Sequence, residues 1–66
     1  MTPVVVRIEH ARRCNYCAAG MRAWFAGRDR SFREFVRNGI EAEWFLRQGD
    51  AQAERMVALA IAEAGG

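Results

Sequence analysis

The sequence predicts a small, mainly α-helical domain that begins with one short β-strand. Three observations lead to this fold class: a β-branched run near the N-terminus, apolar residues that then recur every three or four positions, and glycines that separate the helical segments. A chain of 66 residues forms a single domain. We expect a strand or arm over residues 1–9 and a helical body over residues 10–66, with about four helices in the order long, short, short and long.

The N-terminal strand is predicted over residues 4–8, directly after Pro3. Val4, Val6 and Ile8 share one face of it, while Val5, Arg7 and Glu9 share the other. No second strand is visible in the rest of the sequence, so the strand must find its hydrogen-bond partners elsewhere. Pairing with a symmetry mate or with the sheet edge of another protein is one interpretation. An arm that packs on the helices by its valines is the other.

The first helix is predicted to begin near His10 and to carry the central stretch, residues 14–25. Its apolar stripe consists of Cys14, Cys17, Ala18, Met21 and Phe25. Gly20 lies in the middle, where a glycine costs about 1 kcal/mol relative to alanine. We therefore expect another backbone to approach closely at Gly20. Gly27 ends this helix.

Two short helices follow the turn after Gly27. Ser31 and Glu34 form a capping box at the start of the second helix, and Asn38-Gly39 ends it. Glu41 and Glu43 then favour the start of a third helix. This helix carries three consecutive large apolar residues, Trp44, Phe45 and Leu46. Three neighbours on a helix cannot share one face, so we expect an aromatic ring, that of Trp44 or Phe45, to point outward.

The last helix is predicted to begin after Gly49, with Asp50 as its cap. Its apolar residues recur at helical spacing and form one continuous core stripe: Ala53, Met56, Val57, Ala60, Ile61 and Ala64.

Charge is distributed unevenly along the chain. Residues 1–37 contain eight arginines and three acids, a balance of +5, whereas residues 38–66 contain two arginines and five acids, a balance of −3. Such a chain could stack head to tail on its own copies or turn its basic half to an acidic partner. No apolar run is long enough to cross a bilayer and no signal peptide is apparent, so we expect a cytoplasmic protein without a membrane partner.

Two alternatives assign chemistry to the cysteines. His10, Cys14 and Cys17 are spaced to lie on one helical face and could offer three metal ligands, although a structural zinc site uses four. Alternatively, a strand that leads into Cys14-Asn15-Tyr16-Cys17 resembles the front of a glutaredoxin, in which a helix N-terminus activates the first cysteine. That resemblance ends after about Phe25. We expect no metal, no cofactor and no enzymatic activity.

A third alternative assigns nucleic-acid binding to a basic patch around the second helix, formed by Arg28, Arg30, Arg33 and Arg37. Two short helices in succession could build a helix-turn-helix. Glu41 and Glu43 would face phosphate in such an arrangement, so nucleic acid is not the partner that we expect.

The sequence also resembles a group of small proteins encoded by tailed phages and prophages. The resemblance covers most of the chain and is carried by Tyr16-Cys17, Gly20, Arg22, Trp24-Phe25-Ala26, Phe35, Arg37, Gly39-Ile40, Ala42 and Gly49-Asp50-Ala51. It implies a non-enzymatic protein of the host cytoplasm that is incorporated into the virion as a minor tail or head–tail component, or an assembly factor. A small inhibitor of a host protein is the alternative. The resemblance also implies that Cys17 is a buried core thiol.

Taken together, these expectations describe a module that binds another protein. A domain of this size buries only about 60% of the surface that its unfolded chain exposes, and a partner can cover the remaining apolar groups. The partner is a second copy of the chain or another phage or host protein, with no small-molecule substrate. The predicted partner-binding residues are Val4, Val5, Val6, Ile8, Trp44 and Phe45.

Overall fold

The computed structural model describes residues 4–65. This part of the chain is mainly helical and starts with a short strand, so the predicted fold class is confirmed. The elements in chain order are β1 (Val5–Val6), α1 (Ile8–Arg13), α2 (Ala18–Phe25), α3 (Phe32–Asn38), β2 (Ile40–Glu41), α4 (Ala42–Arg47) and α5 (Ala51–Gly65). Pro3, which precedes the predicted strand, lies outside the described residues.

The N-terminal strand pairs within its own chain. β1 and β2 are antiparallel, with Val5 opposite Glu41 and Val6 opposite Ile40. The expectation that the sequence holds no second strand is therefore wrong, because β2 has only two residues and is too short to show a period. Gly39 makes this pairing possible: its φ is +77°, and a Cβ there would lie 2.7 Å from Val5 Cγ1.

The predicted long first helix is two helices. α1 ends in a Schellman motif, in which Asn15 N–H donates to the Arg12 carbonyl and Tyr16 N–H donates to the Ala11 carbonyl, both at 3.0 Å. Asn15 has a φ of +65°, the left-handed conformation that this motif needs and that asparagine tolerates better than most residues. α2 then starts anew, with Cys17 as its N-cap. The apolar spacing continues across the break, which is why periodicity alone predicts one helix.

The other predicted helix ends are confirmed. Ser31 Oγ accepts a hydrogen bond from Glu34 N–H at 3.1 Å at the start of α3, as predicted. The reciprocal half of the predicted capping box is wrong, because the Glu34 carboxylate binds Arg30 and not the Ser31 N–H. Asp50 Oδ2 accepts one from Ala53 N–H at 3.0 Å at the start of α5. The predicted stripe of α5 is buried up to Ala60, whereas Ile61 is 51% exposed because the helix continues beyond the core; Ala64 is exposed as well.

The core lies between α5, the aromatic residues of α2, α3 and α4, and the inner face of the ribbon. Its buried members are Val6, Ala11, Met21, Phe25, Phe35, Ile40, Trp44, Phe45, Ala53, Met56, Val57 and Ala60. Six aromatic rings contact one another there, which stabilises the fold by about 0.5–1.5 kcal/mol per well-oriented pair beyond the area buried. No helix within residues 4–65 is long and apolar enough to cross a membrane.

The expectation that Trp44 or Phe45 points outward is wrong. Trp44 is 3% exposed and Phe45 is fully buried, whereas Leu46, the third consecutive apolar residue, is 49% exposed. Both rings fit inside because α4 packs against α5 along a broad face. The indole N–H of Trp44 donates to Asp29 Oδ1 at 3.0 Å, which satisfies its polar atom.

Candidate interaction surface

The outer edge of β1 is an unpaired strand edge. Ala42 N–H donates to the Val4 carbonyl at 2.9 Å, and Val6 lies opposite Ile40. Antiparallel ladders alternate between hydrogen-bonded and non-hydrogen-bonded pairs, so Val5 and Glu41 form a non-hydrogen-bonded pair. The N–H and C=O groups of Val5 therefore point away from β2. An edge of this kind is a template for a further strand.

A groove of about 570 Å³ runs beside this edge. One wall consists of Val4, Val5 and Arg7, and the other consists of three residues from the last turns of α5, namely Ala60, Glu63 and Ala64. None of its lining residues belongs to β2. The groove therefore lies between β1 and the last turns of α5, away from β2.

Polar side chains also line the groove. His10 Nδ1 accepts a hydrogen bond from Arg7 N–H at 2.8 Å, and its Nε2 lies 3.6 Å from Glu63 Oε1. Glu63 also forms an ion pair with Arg13. Arg7 differs from these groups: its guanidinium makes one long hydrogen bond, 3.5 Å, to the Asn38 carbonyl and pairs with no carboxylate of the described residues.

The predicted strand residues divide between core and surface. Val6 is fully buried, Val4 and Ile8 are half-buried against the core, and Val5 is 37% exposed. Val5 is therefore the one apolar residue of the predicted strand that is exposed to solvent. β1 therefore exposes its backbone edge to solvent, but only one apolar side chain.

Trp44 and Phe45 do not contribute to this surface because both are core residues. The exposed large apolar side chains within residues 4–65 are instead Val5 and one each from α3, α4 and α5: Val36, Leu46 and Ile61.

The predicted basic patch is divided by internal contacts. Arg30 binds the carboxylates of Glu34 and Glu41, at 2.6 and 2.8 Å, and its hydrogen bonds hold the pKa of both carboxyls below the ordinary value. Arg28 lies over the Trp24 ring, 3.8 Å from its centroid, and donates to the Trp24 carbonyl and to Gln48.

Arg33 and Arg37 remain exposed, and neither forms an ion pair with another residue of the part of the chain that the structure describes. Only two of the four predicted arginines are thus available for an external phosphate.

The cysteines lie at the ends of different helices. Cys14 is half-buried at the end of α1, and Cys17 is exposed at the start of α2, so the expectation of a buried core thiol at Cys17 is wrong. Cys17 Sγ accepts a hydrogen bond from Gly20 N–H at 3.3 Å. A Cβ on Gly20 would lie 3.3 Å from that sulfur and within 4 Å of no other part of the described chain, so the expected close backbone is absent.

The break between the helices also separates the three ligands that a metal site would need. Within residues 4–65, no three His, Cys, Asp or Glu side chains are grouped so that they could hold a metal ion.

Two carboxylates that bind indole groups were not identified from sequence. Asp29 accepts from the Trp44 indole, and Asp50 accepts from the Trp24 indole at 3.0 Å in addition to capping α5. The pairs are 15 and 26 residues apart, a distance at which sequence spacing carries no signal.

Comparison of the chain with protein-family models, curated proteins and solved structures finds no match.

Proposed function

We propose that this protein is a non-enzymatic interaction module that binds another protein through the outer edge of β1. The observation that carries the proposal is the orientation of the Val5 N–H and C=O groups, which point away from β2, together with the groove that Val5 helps to line. A strand added to such an edge gains backbone hydrogen bonds regardless of its sequence, while the neighbouring groove selects its side chains.

The resemblance to small phage proteins supports a more specific proposal. Residues of that pattern hold the fold: Trp24 and Phe25 belong to the aromatic cluster, Gly39 admits β2, and Asp50 caps α5. Proteins that share the pattern would therefore share this fold and its open strand edge. We propose that the chain acts in phage assembly, as a minor virion component or an assembly factor, with inhibition of a host protein as the alternative.

The edge can be tested with a proline at Val5. Because Val5 N–H points away from β2, Val5→Pro removes one outward donor and leaves the β1–β2 hydrogen bonds intact. We expect its partner capture, or its self-association, to fall at least tenfold while the helical circular dichroism signal is kept. Val5→Ala is the matched control, because it shortens the same side chain and keeps the donor.

Equal capture by wild type and Val5→Pro, with helices intact, would contradict the proposal. Location separates the two phage roles: a virion component co-sediments with purified particles, whereas an inhibitor is found only in infected cells.

A further inference from the structure

We infer that the segment that pairs with β1 is an extended, acidic one, in which small or β-branched apolar residues alternate with Asp or Glu. This inference rests on the proposed function and specifies the chemistry of the partner. It follows from three properties of the groove, namely its open backbone, the size of its apolar wall and its uncompensated charge.

The backbone of β1 requires an extended occupant. The N–H and C=O groups of Val5 both point away from β2. A residue of an added strand can accept from this N–H and donate to this C=O, as in any hydrogen-bonded antiparallel pair. A helix has no free backbone groups in its middle to meet them. In a paired strand, successive side chains point to opposite faces, so the occupant meets two different environments.

The inner environment is mainly apolar. Val4 is half-buried there, and the opposite wall is formed by Ala60 and Ala64 on α5, with Glu63, which Arg13 already binds. The side chains of the two alanines are small, so this wall favours small or β-branched apolar residues on the bound strand. A charged group at this position would lose water without gaining a partner.

The outer environment is basic. Val5 and Arg7 lie on the same face, and the Arg7 guanidinium has no carboxylate partner within residues 4–65. Glu63, the acid at the rim, is already bound by Arg13 and faces His10. The uncompensated charge is therefore positive. A carboxylate next in sequence to an inward-facing apolar residue of the bound strand would lie on this outer face and complement the charge.

This charge also decides against a second copy of the chain as the occupant. The strand and its flanking residues, 4–7, contain no acidic residue, so a second copy of β1 would bring no carboxylate to complement Arg7. A partner that supplies a carboxylate has the advantage over a second copy.

The test uses two synthetic peptides and nuclear magnetic resonance of the labelled full chain. The first peptide is acetyl-Thr-Val-Glu-Val-Glu-Val-Thr-amide, and the second has lysine in place of both glutamates. Their alternation is symmetric, so either strand direction presents the same pattern. We expect the acidic peptide to shift the amide signals of Arg7, Ala60 and Ala64 in a saturable manner, and the basic peptide to leave them unchanged.

Two variants identify the groups that are responsible. Arg7→Glu should weaken the acidic peptide by about three- to tenfold and bring the basic peptide into the measurable range, as expected for one exposed charge pair. Val5→Pro should abolish the shifts that the acidic peptide causes at Ala60 and Ala64.

The outcomes separate this inference from the function on which it rests. Equal binding of both peptides to wild type, or no shift at millimolar peptide, overturns the acidic partner and leaves strand addition to the capture experiment. Equal binding of the acidic peptide to wild type and Val5→Pro overturns both, because the edge would then not be the site.

Discussion

Asp50 joins two helices, α5 and α2, through one carboxylate oxygen. Its Oδ2 accepts from Ala53 N–H at the start of α5 and from the Trp24 indole on α2, both at 3.0 Å. The bond from Ala53, then the indole and the nearby Arg28, hold the pKa of Asp50 below its ordinary value. A single residue therefore caps a helix and fixes the aromatic cluster against it.

We expect Asp50→Ala to lower the free energy of unfolding by about 1–3 kcal/mol, because it removes a cap and leaves the indole N–H without its acceptor. Asp50→Asn keeps a cap acceptor and should cost less. The measurement is urea denaturation followed by circular dichroism. Ser31→Ala, which removes only the cap of α3, is the matched control and should cost about 1 kcal/mol. A smaller loss for Asp50→Ala than for Ser31→Ala would contradict the double role.

At the scale of elements, the β1–β2 ribbon depends on the absence of a side chain at Gly39. The φ of Gly39 is +77°, and a Cβ there would meet Val5 Cγ1 at 2.7 Å and the Val6 carbonyl oxygen at 2.9 Å. Those contacts involve both residues of β1, so a side chain at this position separates the two strands. Gly27 also has a positive φ, +82°, but a Cβ there meets nothing within 4 Å of the described chain.

We therefore expect Gly39→Ala to destabilise the fold by about 2–4 kcal/mol, from backbone strain and the clash together, and to release the amides of β1 to hydrogen exchange. Gly27→Ala carries the strain alone and should cost only about 1 kcal/mol. Equal costs for the two variants would show that close approach to β1 does not matter.

How far the elements could be predicted from sequence differs from one to another. Helix ends with a side-chain cap, at Ser31 and Asp50, are local and were predicted correctly. The end of α1 was missed because Asn15 continues the polar side of an unbroken apolar stripe and only its φ marks the turn. β2 was missed because two residues have no measurable period, and the burial of both Trp44 and Phe45 depends on a tertiary fit.

The candidate site shows the same division. The strand at residues 4–8 was visible as a β-branched run, but which edge of it is open depends on β2, which only the fold reveals. The groove wall comes from α5, 55 or more residues further along the chain than Val5. Contacts at this separation leave no mark in the local sequence.

At the scale of the whole molecule, acid should weaken the fold. The pKa values of Glu34, Glu41 and Asp50 are all lowered in the folded state, the first two chiefly by hydrogen bonds from Arg30 and the third chiefly by the bond from Ala53. Groups of this kind contribute stability above their unfolded pKa, about 4, and that contribution is lost as pH falls through the folded pKa.

We expect the melting temperature to be constant from neutral pH down to about 5 and to fall below about 4. Arg30→Gln removes the common partner of Glu34 and Glu41, so its melting temperature should fall less steeply in that range. The same acid slope in wild type and Arg30→Gln would exclude this ion-pair cluster as the source of the acid sensitivity.

The distribution of arginines limits any binding to nucleic acid. Since Arg28 and Arg30 are held internally, Arg33 and Arg37 are the members of the predicted patch left to contact phosphate. Each phosphate contact contributes about −0.9 to the slope of log K against log salt, so two contacts give a slope of about −2. We expect DNA retention on a column only at low salt, and none for Arg33→Glu with Arg37→Glu. A slope of −4 or steeper would show that arginines other than Arg33 and Arg37 also contact phosphate.

The packing of the two tryptophans has an optical consequence. Their ring centroids lie 5.7 Å apart, nearly perpendicular, on α2 and α4, and Trp24 also stacks on Phe45 at 5.7 Å. Indole transitions at this distance couple, so we expect the circular dichroism of the protein to contain an exciton band whose sign and size depend on the angle between the rings. That band reports the assembly of the aromatic cluster independently of helix content. It should vanish in any compact state that keeps its helices and loses fixed side-chain packing.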